Sequence, residues 1–364
     1  MLLLAGRMQA RGSSSYTLRL AEHLPEHGFH GQIVCLSCRE ITGDHRRNQP
    51  ICEYPFMGFT LWKWFFSRAA TAQFQAWSPR LIHVQTRDCL PVGRWLARTL
   101  KAPLVATVHD FLNPRDAFRF PLNQGKVVAV SQAVKTDLVE RTKLTDQDVQ
   151  VVYSGVEIDG EANVASAPRV NHVPVVGTAG PLETVKGQSD FIRAAQCVLG
   201  RGLDVEFLIA GSGPEEHNLR RLAETLGVSP HVTFVPYLGE YSDALKAMDV
   251  FCLPSLQQGL GTVMFEAMSR GKPVIATRVG GVVDALEDDK TGLIVPPGDP
   301  QALAEKILLL LEKPNQARRL AESGRTLIRD RFDVKRMVRE TAEIYQQVLD
   351  QFQPAQAGAS ATNA

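Results

Sequence analysis

The sequence has no apolar run approaching the ~20 residues that span a bilayer as a helix. Its opening, Met1-Leu2-Leu3-Leu4-Ala5, is too short for a signal-peptide core and passes straight into Gly6-Arg7, so it reads as a first strand. Cysteine is scarce, with six in 364 residues and most of them among apolar neighbours, which is the usage of free thiols in a reducing compartment. Cys35 and Cys38 form the only close pair. A zinc site would want a second pair or histidines at matching spacing, so both read as core residues at a strand end. No Gly-x-Gly-x-x-Gly with a downstream acidic residue follows a strand, which argues against a nicotinamide-dependent dehydrogenase. Nothing repeats at a solenoid period.

What is present is ordinary for a soluble protein: 44% hydrophobic and 22% charged residues, in a chain long enough for two α/β domains. The net charge of +1 hides an asymmetry. Residues 1–150 carry 19 Lys+Arg against 12 Asp+Glu, and the remainder 21 against 27. A basic half suits an anionic partner such as a phosphorylated lipid or an acidic membrane surface. Solvated charge with no partner fits equally well. Aromatic residues make up only 7% of the chain, yet Phe56, Phe59, Trp62, Trp64, Phe65, Phe66, Phe74 and Trp77 crowd one short span, in which Phe59, Trp62, Phe66, Ala69, Gln73 and Trp77 fall near helical spacing. A helix buried on the N-terminal domain is the slightly preferred reading. An apolar lip for a lipid-linked acceptor, with Lys63 and Arg68 beside it, is the other.

Short apolar runs alternate with helical patterns along the chain. Strands are expected at Leu2–Ala5, Ile33–Leu36, Leu81–Val84, Leu104–Val108, Val127–Val130, Val149–Val152, Val173–Gly177, Val205–Ala210, His231–Val235, Val250–Leu253 and Val274–Ala276. That alternation predicts parallel sheets covered by helices on both faces, with ligands beyond the C-terminal strand ends. A helix is expected from Tyr16 to His27, and Asp299-Pro300 is an N-cap and first-turn proline for another.

The most informative stretch is Leu253 to Thr277, LPSLQQGLGTVMFEAMSRGKPVIAT. A short strand stops at Pro254-Ser255, and the loop Gln257-Gln258-Gly259-Leu260-Gly261 carries two glycines that let backbone amides approach a ligand. Thr262 to Ser269 has helical spacing, with Val263, Ala267 and Met268 on one side and Glu266 on another. Strand, glycine loop and helix start together make an anion cradle.

The whole string resembles the signature of the family-4 retaining glycosyltransferases of GT-B fold. Their loop runs Pro-Ser-x-x-Glu-Gly-x-Gly, followed by Glu-Ala-Met and Gly-x-Pro-Val. The resemblance extends to the glycine- and serine-rich first loop with Gly12 and Ser13, to Thr107-Val108-His109-Asp110, to Val185-Lys186-Gly187, and to Ala210-Gly211-Ser212-Gly213-Pro214. Four positions depart from the pattern. Gln258 stands where the family has glutamate, Pro181 where it has arginine, and Ser154 and Glu157 replace Asn and Asp at the close of the first domain.

The resemblance implies two Rossmann-like doubly wound domains facing across a cleft. The expected division is an acceptor-binding domain at 1–160, a linker at 161–172 and a nucleotide-sugar domain at 173–332. A helix at 333–352 crosses back to the first domain, and a disordered tail at 353–364 ends the chain. It implies metal-independent transfer, with retention, of a sugar from a nucleotide-diphosphate donor to a sugar or lipid-linked acceptor. No cofactor and no nucleic acid are implied. Such an enzyme is expected in the cytoplasm or at the inner face of the membrane, serving cell-surface polysaccharide or glycolipid synthesis. By the same resemblance, His109 faces the donor sugar, Lys186 neutralises the diphosphate and Glu266 holds the ribose. Gln258, Gly259, Leu260, Gly261, Thr262, Gly211, Gly213 and Tyr237 line the donor. Arg7, Arg11 and Arg278 are candidates for the missing arginine. A non-catalytic nucleotide-sugar binder and a nucleotide-sugar epimerase of the same fold are the alternatives.

Overall fold

A computed structural model of the chain describes residues 1–8, 12–38, 51–55, 73–113, 118–121, 125–158, 172–236 and 241–352. The described residues fall into two compact units. Unit 1 draws on Met1–Ala129, Lys135–Val152 and Met337–Ala364, and unit 2 on Val130–Val134 and Tyr153–Arg336.

Unit 1 is built on a parallel sheet of seven strands: β1 (Leu2–Arg7), β2 (Gln32–Ser37), β3 (Ile51–Glu53), β4 (Ile82–Val84), β5 (Leu104–Val108), β6 (Gly125–Ala129) and β7 (Val149–Val151). Their order is β3-β2-β1-β4-β5-β6-β7. The winding reverses between β1 and β4, where Leu3 lies between Ile33 and His83. Unit 2 carries a parallel sheet of six: β8 (Val175–Ala179), β9 (Glu206–Ala210), β10 (Val232–Val235), β11 (Val250–Leu253), β12 (Val274–Thr277) and β13 (Leu293–Val295). Its order is β10-β9-β8-β11-β12-β13, which reverses between β8 and β11. Both are doubly wound α/β sheets, as the alternation of patterns predicts. Every residue of β5 and β11 is buried, the mark of strands covered on both faces.

The strands that sequence reading omits are β3 and β13. Each is three residues long and lies at the edge of its sheet.

Helices needed below are α1 (Ser13–His23), α2 (Leu90–Leu100), α3 (Gln188–Leu199), α4 (Thr262–Ser269), α5 (Pro300–Glu312) and α6 (Val334–Gln351). The first helix begins three residues earlier than Tyr16, and Leu24–His27 is a 3-10 turn that Gly28 closes at φ +78°. Pro25 explains the change, since it lacks the N–H that an α-helical continuation needs. Asp299 does cap α5, accepting from Ala302 N at 2.9 Å.

In unit 2, α3 and α5 pack on each other over the sheet, with Phe191 and Phe207 edge to face at 5.7 Å. In unit 1, Phe74 is fully buried with Leu2, Leu4, Val34 and Leu104, and Trp77 packs on it at 5.4 Å. That places the C-terminal end of the aromatic stretch in the core. Phe56, Phe59, Trp62, Trp64, Phe65 and Phe66 lie outside the described residues, as do the aligned Lys63 and Arg68. All six cysteines are free thiols, and Cys38 donates to Glu53 Oε1 at 2.9 Å. No described helix is long and apolar enough to cross a membrane.

Candidate functional site

The reversal between β8 and β11 is where a doubly wound sheet opens a crevice at its C-terminal edge. Three loops interlock there in unit 2. The loop after β8 ends in Lys186 and Gly187, and the loop after β11 runs from Pro254 to Gly261. Val185 O accepts from Leu256 N at 2.8 Å and from Gln257 N at 3.2 Å. Gly187 sits at φ +68°, and a Cβ there would stand 1.9 Å from Pro254 O. Only glycine allows the two loops to approach this closely.

The approach brings Lys186 and Gln258 together. The Lys186 ammonium donates to Gln258 Oε1 at 3.1 Å, and the Ser255 hydroxyl donates to the same oxygen at 3.2 Å. The lysine ammonium can only donate, which fixes the amide with its oxygen toward Lys186. The loop itself is pinned from below. Thr277, at the end of β12, donates to Ser255 O at 2.5 Å, and Gly281 N donates to Gln258 O at 3.3 Å.

Gly261 (φ +91°) turns the chain into α4, which starts at Thr262. The first amides of that helix have no intrahelical acceptor and carry the positive end of its dipole. Gly259, Leu260 and Gly261 are buried, while Thr262, Lys186, Gln258 and Glu266 are half-buried. Glu266 lies one turn into α4, and its carbonyl is held by Arg270 Nη1 at 2.9 Å. The expected face of α4 needs correcting. Val263 is half-exposed, and Met264 and Phe265 join Ala267 and Met268 in the core. The helix turns 100° per residue, so 264 and 265 share the side of 268 and 263 does not.

The remaining donor candidates surround this pair of loops. A Cβ on Gly211 would lie 2.0 Å from Gly180 O, and one on Gly213 2.3 Å from Leu182 O, so the turn after β9 is pressed onto the loop after β8. Pro181, in place of the expected arginine, offers only its carbonyl, which accepts from Gln188 Nε2 at 2.9 Å. Arg278 follows β12 in unit 2, and Arg7 ends β1 in unit 1. Tyr237 and Arg11 lie outside the described residues.

Unit 1 holds the other expected residues at the C-terminal edge of its own sheet. Gly12 (φ +57°) and Ser13 open α1. Tyr16, one turn on, meets His109 edge to face at 5.0 Å. His109 immediately follows β5. Its Nε2 is sealed from solvent with no hydrogen-bond partner among the described residues. Burial pulls its pKa down to about 4, against the pull of a hydrogen bond to the Gln85 backbone, and the Arg87 charge lowers it further. The ring is therefore neutral near pH 7. Donation of Nδ1–H to the Gln85 carbonyl leaves Nε2 with a lone pair.

Beneath it, His83 bonds Tyr345 OH at 2.6 Å, Thr107 Oγ1 at 2.7 Å and Gln85 Nε2 at 2.9 Å. This polar layer, together with Ser255 and Thr277, is what sequence reading leaves out. Alternation within β4 marks His83 only as one more inward position, and its partner Tyr345 is remote in sequence. Among the described residues no group of three or more His, Cys, Asp or Glu side chains is arranged to hold a metal ion.

Comparison with known proteins agrees with both halves. The family described as Glycosyltransferase Family 4 matches residues 10–159, and Glycosyl transferases group 1 matches 161–327. The chain is 27% identical to the phosphatidyl-myo-inositol mannosyltransferase of Mycobacterium leprae, over 93% of each chain. It is 28% identical to the capsular polysaccharide biosynthesis glycosyltransferase CapM of Staphylococcus aureus, over 48% of this chain and 46% of that one. Among solved structures it is similar to Anabaena HepE in complex with UDP and glucose. The TM-score is 0.79 at 22% identity, over 95% of this chain and 98% of that one.

Proposed function

The chain belongs to the family-4 glycosyltransferases of GT-B fold, and from that premise we propose that it moves a sugar from a nucleotide-diphosphate donor to an acceptor hydroxyl with retention at the anomeric carbon. Assembly of cell-surface polysaccharide or glycolipid is the setting this reading favours, in the cytoplasm and at the inner face of the membrane where the acceptor is lipid-linked. The observation that carries it is the meeting of Lys186 and Gln258 at 3.1 Å beside the N-terminus of α4.

A departing diphosphate needs positive charge where its own charge develops. Lys186 and the first amides of α4 offer it in a half-buried setting, where each contact outweighs its value in water. Lysine neutralises as a point charge, without the fork of the arginine that Pro181 replaces. Glu266 is suited to the ribose hydroxyls, and the Gln258 amide to hydroxyls of the donor sugar. His109 stays neutral, so it adds no charge beside an oxocarbenium-like centre. In this reading the leaving phosphate takes the acceptor proton, which gives retention without an enzymic nucleophile.

The test is thermal stability against UDP, GDP, ADP, TDP, CMP and NAD, since a ligand of the folded state raises Tm by mass action. One nucleoside diphosphate should raise Tm in the native protein and fail to do so in Glu266→Ala. No rise with any of them would overturn the donor assignment. Retention is read separately, from the anomeric configuration of the first product by NMR.

A further inference from the structure

Unit 1 contains a cavity of about 460 Å³ that the donor chemistry does not use. It opens at the C-terminal edge of the sheet, between the 3-10 turn Arg87–Cys89 after β4, the start of α2, and the residues Asn113, Phe118 and Arg119. Three arginines line it: Arg87, Arg94 and Arg119. Asp88 is the only carboxylate among its lining residues. No ion pair joins Asp88 to Arg94 or Arg119 among the described residues. A Cβ on Gly6 would stand 2.6 Å from the Asp88 carboxylate, so glycine at that position makes its seat.

Two further observations mark the cavity as a place for a ligand. Arg94 Nε is shut off from solvent and has no hydrogen-bond partner among the described residues, and a buried guanidinium N–H without an acceptor is costly. The cavity also adjoins the chemistry, because the Arg87 charge reaches His109. Phe118 and Leu90 supply an apolar wall beside the charge, and Asn113 a polar one.

We propose that this cavity receives a phosphate group carried by the sugar acceptor, with Arg94 and Arg119 as its main ligands. Guanidinium forks match the paired oxygens of phosphate, and the apolar wall takes the carbon skeleton that bears it. This rests on the glycosyltransferase reading above and names the class of acceptor: a phosphorylated polyol or sugar, or the phosphate head of a lipid. The selectivity lies in Arg94 and Arg119, not in the donor cradle.

The experiment uses the full chain with the donor cradle filled by whichever nucleoside diphosphate stabilises it. Binding of glycerol 3-phosphate is measured by calorimetry, and binding to vesicles of phosphatidylcholine with and without phosphatidic acid by co-sedimentation. The native protein is expected to bind at least one probe, and Arg94→Met and Arg119→Met to weaken it about 10-fold each. Arg119 is exposed, so its replacement leaves the core intact. Arg94→Lys keeps the charge and should fall between the two.

Binding of glycerol 3-phosphate points to a soluble acceptor, and binding only to phosphatidic acid vesicles to a lipid head. Equal binding by native protein and both Met variants overturns the proposal, as does failure of both probes to bind while the nucleoside diphosphate does. If no nucleoside diphosphate binds at all, the donor reading falls, and the acceptor role of this cavity falls with it.

Discussion

His83 Nδ1 and the hydroxyl of Tyr345 lie 2.6 Å apart although 262 residues separate them in the chain. The contact fastens α6 to the middle of the unit 1 sheet, directly behind the edge that carries His109. Gln85 Nε2 can only donate, and it points at the same nitrogen at 2.9 Å. Nδ1 is therefore the acceptor, and Nε2–H donates to Thr107 at 2.7 Å. The imidazole is neutral with its proton on Nε2.

Removing the hydroxyl should be felt as lost stability. Tyr345→Phe deletes a buried hydrogen bond and leaves Gln85 as the only donor to His83 Nδ1, at a cost of about 1 to 2 kcal/mol. Urea unfolding of the variant would show a lower midpoint with an unchanged slope.

Stability should also fall in mild acid. Burial pulls the His83 pKa down to about 3 and that of His109 to about 4, from 6.5 when unfolded. The unfolded chain then takes up protons that the folded chain refuses, so stability is full above about pH 6.5 and declines as pH falls toward 4. At pH 5 the loss is on the order of 2 kcal/mol per histidine. His83→Phe is less stable at pH 7.5, but its stability should depend less steeply on pH, as read from unfolding curves at pH 5 and 7.5.

Lys186→Met keeps the aliphatic stem and removes the charge. Nucleoside diphosphate affinity should drop at least ~10-fold, the value of a charge-assisted contact, while Tm without ligand changes little because the side chain is half-exposed. Titration calorimetry separates the two. An unchanged affinity would remove Lys186 from the donor site.

Gly187→Ala should be far more damaging than its size suggests. The new methyl would meet Pro254 O at 1.9 Å on a backbone at φ +68°, so the two loops must part. A loss of roughly 2 to 3 kcal/mol is expected, together with diphosphate binding, since Lys186 then loses Gln258. Alanine at Gly202, which is also at positive φ but has nothing within 4 Å of its Cβ, is the control for backbone strain alone.

Much of this protein is decided by local sequence. Short apolar runs such as Leu104–Val108 and Val250–Leu253 read as strands buried on both faces, and helical patterns between them point to a parallel sheet. The loop from Pro254 to Gly261 and the helix after it were equally legible, because glycines at a strand end leave few backbone choices. The edge strands β3 and β13 were not legible, although β7, just as short, was. Nor was the face of α4 that turns inward, because its residues are apolar nearly all round and only the neighbouring elements choose among them. The long-range pairings belong wholly to the tertiary structure. Lys186 with Gln258, His83 with Tyr345, and Arg94 with Arg119 around one cavity are set by how the elements pack, which brings together residues that no spacing rule connects.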